Sequence, residues 1–239
     1  MTYQVCTTVL TKRGAAELAC VTARRGYDLA EQAEERIVLA SLSRSVSHAL
    51  LAAGRCDDAL GVISDAAERL GQPASSSSPT YVSVYGTMCL TGSMAAARAR
   101  DRTYTKELLR EARAAAQRIG TDANLLWTAF GPTNVAVHAV STAMELGDAQ
   151  QALELGTQVD AKGLPTERRA RHDIELARAH SAIGDRDTAV QHLLAAEHAA
   201  PEQVRSHPLS RQLARTWVHR TRNRPDESLN SLATRLGVG

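Results

Sequence analysis

Asn134, His138, Ser141 and Glu145 recur along the run TAFGPTNVAVHAVSTAMELGD, which extends from Thr128 to Asp148. An imidazole beside an amide, a hydroxyl and a carboxylate could relay a proton, grip a polar ligand or simply face water. At about 100° per residue the four side chains fall within about 60° of one another on a helix. Val135, Ala136, Val137, Ala139, Val140, Ala143, Met144 and Leu146 fill the other directions. The pattern predicts a helix packed on its back and both flanks and open along one polar line. Gly131-Pro132 marks its start, since proline is favoured at the first helical position, where its missing N–H costs nothing.

Other arrangements that could do chemistry are absent from the chain. None of the eight histidines lies four residues from another, and no His/Cys cluster or His-Glu-x-x-His gives a metal spacing. There is no phosphate-binding loop, no Gly-x-Ser-x-Gly and no dinucleotide fingerprint. The acidic pairs Glu34-Glu35 and Asp57-Asp58 sit where helix caps and solvated faces are expected. Cys6, Cys20, Cys56 and Cys89 are far apart with no Cys-x-x-Cys pair, as expected of free thiols in a reducing compartment. Neither catalysis, nor a metal, nor a cofactor is expected.

Such a helix must be held by its neighbours, and composition says what they are. Alanine and leucine dominate while aromatics are 3%, which favours closely packed helices over a β-sandwich. The turns then reveal a repeat. LLAAGRCDDALGVISDAAERLG from Leu50, AMELGDAQQALELGTQVD from Ala143 and AHSAIGDRDTAVQHLLAAEHAAP from Ala179 share a glycine and a polar or acidic cluster. An alanine and a branched residue follow five and six positions on: Ala59-Leu60, Ala152-Leu153 and Ala189-Val190. Glycine permits the left-handed backbone that ends one helix, and the acidic residues cap the next. Ile63 and Leu193 supply bulk further along, and in the last unit Ala177, Ala196 and Pro201 complete the register. Two degenerate units place Gly14 with Ala19, and Arg100 with Thr105, at the same positions. This spacing resembles the tetratricopeptide repeat, although turn points 37 to 47 residues apart exceed its usual length of ~34. The reading is all-α: a tetratricopeptide-like right-handed solenoid of about five helical hairpins. Residues 1–239 form one domain, GQPASSSSPT (71–80) is an exposed, mobile loop, and capping helices span about 207–236.

In such a solenoid the inner helix of each hairpin shows only its concave edge. Counting back from each turn continues the polar line into Arg44 and His48, into Thr87 and Thr91 with Arg98, and into Arg171, Glu175 and Arg178. With Trp127 these residues form the candidate ligand-binding groove. Arg171, Glu175 and Arg178 could equally pair along their own helix. The arrangement does not match repeats that clamp a peptide's terminal carboxylate with lysine and asparagine. From Arg205 to Arg224 there are six arginines and no carboxylate. Leu209, Leu213 and Trp217 lie on one side of that stretch, with Arg211, Arg215 and Arg222 roughly opposite, as a terminal cap with a wet outer face requires. A phosphate-contacting patch is the alternative for these arginines. Overall charge is balanced, 28 basic against 26 acidic side chains, and implies no general affinity for nucleic acid. No run approaches the ~18 apolar residues of a membrane span, and a cytoplasmic protein is expected.

The chain also resembles the C-terminal sensor region of bacterial helix-turn-helix transcriptional regulators of the Xre type that carry tetratricopeptide-like repeats. The resemblance is carried by WTAFGPTNVAVH (Trp127 to His138), ELGDAQQALEL (from Glu145), the long segment from Leu164 through Arg215, and LATRLGV (from Leu232). It implies a module that dimerises or receives a signal, with a small molecule, a peptide or a protein as partner. In that group a separate N-terminal domain reads the operator. Here the unit around Gly14 already looks like the first repeat, which leaves no stretch for a DNA-reading domain of about 60 residues, and direct DNA binding is not expected.

Overall fold

The computed structural model describes residues 2–220 and 227–238. Ten helices form five consecutive antiparallel pairs: α1 (Thr2–Lys12) with α2 (Ala16–Gln32), α3 (Arg36–Ala52) with α4 (Cys56–Leu70), α5 (Pro79–Arg98) with α6 (Arg102–Ile119), α7 (Pro132–Leu146) with α8 (Ala149–Gly156), and α9 (Thr166–Ala182) with α10 (Arg186–Ala199). The inner helices stack in order, α3 on α5, α5 on α7 and α7 on α9. Apart from one antiparallel bridge between Ala123 and Phe130, the described residues contain no β-structure. This is the expected tetratricopeptide-like solenoid.

One backbone device makes all five turns. Gly14, Gly54, Arg100, Gly147 and Gly184 have φ of 76°, 76°, 65°, 88° and 90°, the left-handed region. In each turn the following N–H reverses onto a carbonyl five residues back: Ala15 to Leu10, Arg55 to Leu50, Asp101 to Ala96, Asp148 to Ala143 and Asp185 to His180, at 2.9 to 3.0 Å. These bonds satisfy carbonyls that the helix end would leave bare. Five residues past each turn the small side chain is sealed: Ala19, Ala59, Ala152 and Ala189 are 0% exposed and Thr105 is 1%. The close approach of paired helices needs a small residue there, and the sequence supplies one each time.

The acidic caps work at only some turns. Asp101 accepts the N–H of Tyr104 at 2.9 Å, and Asp185 that of Thr188 at 3.3 Å. Asp148 makes no such cap, because Arg102 of the preceding pair takes its carboxylate. At Gly54 the position after the turn is Arg55, and Asp57 and Asp58 fall inside the first turn of α4, where they suit the helix dipole instead.

Phe130 fixes how α7 meets α5. Its ring is fully buried against Gly86, where a Cβ would lie 2.0 Å from the ring's Cζ. The chain reaches this position through Leu126, Trp127 and Ala129, all at positive φ. The Ser/Pro loop carries no regular structure over 71–78, and Gln72, Ala74, Ser75 and Ser76 are exposed. Its root is nonetheless tied down: Arg118 donates to the carbonyls of Pro73 and Ala74 at 2.8 and 2.6 Å, and Ser78 caps α5 through Tyr81.

Beyond α10 the chain continues as α11 (Pro201–Ser206), α12 (Pro208–Arg220) and α13 (Glu227–Arg235). Trp217 is buried with Leu229, Leu232 and Leu236, and its indole N–H donates to Ser181 at 2.9 Å. Leu209 and Leu213 pack beside it, while Arg211 and Arg215 are exposed on the outer side, as a cap requires. Glu197 of α10 ties this end together, accepting from Arg205 at 3.0 Å and from Arg235 at 2.7 to 3.0 Å.

Candidate functional site

The concave side is formed by α3, α5, α7 and α9, and the structure brings the predicted polar residues onto it. The line is not an open trough, however. Arg44, Thr87, Thr91, Asn134, Ser141 and Glu175 are all buried, at 7%, 3%, 1%, 0%, 6% and 0% exposure. His48, Arg98, His138, Glu145, Arg171 and Arg178 are only partly accessible. The expectation of a helix open along one edge fails because successive inner helices sit close enough to cover one another's polar faces. Several hydroxyls accordingly turn back on their own helices: Thr87 donates to Ser83 O at 2.6 Å, Thr91 to Thr87 O at 3.0 Å and Ser141 to Val137 O at 3.2 Å.

One half of this polar interior is neutralised by itself. Buried Glu175 lies between Arg171 and Arg178, each 2.6 Å from one of its carboxylate oxygens. Arg178 also reaches Glu145 at 3.2 Å, and Arg98 approaches the other Glu145 oxygen at 3.7 Å. Arg98 donates in addition to Leu51 O at 3.0 Å. Arg171 contacts His207, whose pKa falls to about 3 through burial and then through Arg171. The network links the second through fifth pairs to the cap. A carboxylate as buried as Glu175 is tolerated only when paired this closely.

The other half holds cations and neutral imidazoles. Arg44 is buried, its Nε has no partner among the described residues, and burial and then Arg168 lower its pKa to about 10. His48 lies well below its ordinary value, chiefly through burial and next through Arg44 and Arg168, and its Nε2 is 3.3 Å from Thr91 Oγ1. His138 is lowered to about 3 by burial and then by Arg168, while its Nδ1 sits 2.9 Å from the Asn134 carbonyl. Both rings are therefore neutral near pH 7. The Asn134 side chain is wholly buried, and neither its Oδ1 nor its Nδ2 has a partner among the described residues. An amide in that condition forfeits roughly 1–3 kcal/mol per unsatisfied group, so its presence needs a reason.

Counting from the turns missed Arg168. It lies sixteen residues before Gly184, one helical turn beyond the point where the count stops, and extends the stripe Arg171, Glu175, Arg178. Trp127, by contrast, is not drawn into the cluster. It stands 64% exposed at φ 60° on the short turn Leu125–Trp127 that leads to α7. In the basic C-terminal segment Arg211 is engaged, donating to Leu236 O at 3.0 Å, whereas Arg215 is exposed. Arg222 lies outside the described residues. The four cysteines are free thiols, and no described group of His, Cys, Asp and Glu could hold a metal ion. Among the described residues no helix is long and apolar enough to cross a membrane.

No protein family and no curated protein matches the sequence. Among solved structures, the chain is similar to a crystal structure of nearly identical TPR-like repeats from a Podosopora anserina kinesin-light-chain-like protein. The TM-score is 0.52 at 18% identity, over 85% of this chain and 95% of that one. At that identity the likeness concerns the fold, and it agrees with the repeat read from the turns.

Proposed function

We propose that this chain is a sensing module: one solenoid unit that takes a ligand on its concave side and passes the effect to a transcriptional regulator, as the resemblance to Xre-type sensor regions implies. The observation that supports this reading is Asn134, a fully buried amide with both polar atoms unpartnered, placed beside His138. A side chain kept for packing alone would be an isosteric leucine. One kept for polar contact but left without any points to a partner outside the chain. In this reading the module binds its ligand without converting it. The test is a thermal-shift screen of metabolites and short peptides on the full chain, repeated on Asn134→Ala and His138→Ala. Hits that vanish in both variants, with folding intact, support the reading; hits indifferent to both refute it.

A second role, self-association or docking on a protein partner, is favoured by a separate observation. Val5 and Val9 of α1 and Leu18, Val21 and Leu29 of α2 are 51–59% exposed, all on the first hairpin. Large apolar side chains gathered on one element mark interaction surfaces. Sedimentation of the parent chain and of Leu18→Glu tests self-association: a dimer that becomes a monomer supports it, and a parent that is already monomeric at high concentration removes it.

A further inference from the structure

We propose that the cation-rich end of the concave interior, formed by Arg44 of α3, Asn134 and His138 of α7 and Arg168 of α9, binds the oxyanion of a small molecule, a phosphate or a carboxylate. The inference rests on the reading that the concave side is the binding site and adds the chemistry of what enters it. Three observations carry it.

First, charge is unbalanced within a single interior. The end containing Glu145 and Glu175 pairs its carboxylates with Arg98, Arg171 and Arg178. At the other end Arg44 and Arg168 face His48 and His138, and no carboxylate bears on Arg44 or on either ring. The carboxylate beside Arg168 is Glu167, 3.9 Å away, and it is already engaged with Lys12 at 3.3 Å. A buried guanidinium at Arg44 repelled by the partly buried Arg168 is a standing cost that an oxyanion would reverse.

Second, the donors are unspent. Arg44 Nε and Asn134 Nδ2 are buried and without partners among the described residues. They are the groups an oxyanion accepts from, and a guanidinium offers its N–H donors in a fork that matches carboxylate or phosphate. His48 and His138 are neutral here and leave the positive charge of the site to Arg44 and Arg168.

Third, the size is limited. A peptide needs a trough open along its length, whereas Thr87, Thr91, Asn134 and Ser141 are buried along this one. The ligand is therefore a small molecule.

The experiment uses the full chain with inorganic phosphate and succinate as separate probes, each against sodium chloride at equal ionic strength, read by thermal unfolding and calorimetry. A saturable response to either probe beyond the chloride control is expected, and the probe that binds more tightly distinguishes a phosphate ligand from a carboxylate one. Arg44→Met and Arg168→Met each weaken binding at least about tenfold, as expected for a lost charge-assisted bond. Arg98→Met, at the self-neutralised end, changes it by less than about twofold. Asn134→Asp, which places a carboxylate in the site without changing its shape, raises Tm in the absence of probe and abolishes the response. That variant keeps the test decisive if the methionine variants fail to fold. Absence of any response beyond chloride, or one that persists in Asn134→Asp, overturns the proposal. If neutral hits from the metabolite screen still require Asn134 and His138, only the oxyanion chemistry falls and the sensing reading stands.

Discussion

Lowering the pH from 7 to 5 should destabilise this protein through its largely buried imidazoles, and replacing His138 should remove a defined share of that sensitivity. Folded His138 refuses a proton until about pH 3, chiefly because it is buried and next because of Arg168. The same ring in an unfolded chain accepts one near pH 6.5. Between those values the unfolded state binds more protons, so stability falls as pH drops through 6.5 and keeps falling towards 3. One pKa unit corresponds to ~1.36 kcal/mol, so the interval from pH 7 to 5 removes about 2 kcal/mol through this ring alone. His207, also held at about 3, and His48 act with the same sign. The full chain should therefore lose several of the ~5–15 kcal/mol typical of a folded domain. His138→Asn keeps an N–H near the Asn134 carbonyl but cannot titrate. Urea unfolding at pH 7 and pH 5, at constant ionic strength, should show its loss to be smaller than the parent's by about 2 kcal/mol. Equal losses in the two proteins would refute the argument, since they would mean that His138 protonates as freely folded as unfolded.

Arg44→Met should stabilise the ligand-free protein by about 1–2 kcal/mol, because it removes a buried charge facing Arg168 and leaves no acid unpaired; a drop in the urea midpoint would show that Arg44 has an internal partner after all. Gly86→Ala should cost at least about 2 kcal/mol by driving a methyl into the Phe130 ring, and adding Phe130→Leu should recover part of the loss in the same urea assay. Glu197→Gln should lower stability by about 1–3 kcal/mol and release α13, as Arg205 and Arg235 lose their shared carboxylate at a partly exposed site. Hydrogen exchange confined to residues 227–238 would register that release, and unchanged protection there would contradict it.

The solenoid was legible because its turns are a backbone requirement. A left-handed residue followed five positions later by a small one can be recognised without knowing what packs outside it, and even Arg100, a poor residue for the task, stands in register with Thr105. Which faces of the inner helices share an interior was equally open to counting. How far that interior closes was not. Burial of Asn134 and Ser141 depends on the pitch between successive pairs, which is set by contacts far apart in sequence, such as Phe130 on Gly86. For the same reason the division into a self-paired end and a cationic end was hidden: it turns on Arg178 reaching Glu145 from another helix, and on Arg44 having no such acid within reach. Arg168 was missed for a simpler reason, since the count stopped one helical turn short.

Lys12 and Glu167 join the first hairpin to the fifth at 3.3 Å. A spring clasped between its first and last coils cannot lengthen along its axis without opening the clasp, so winding and internal width become a single variable. The clasp is half in water and holds with under about 1 kcal/mol, less as salt is added. Thermal energy therefore opens it readily, and with it the constraint on the winding is released.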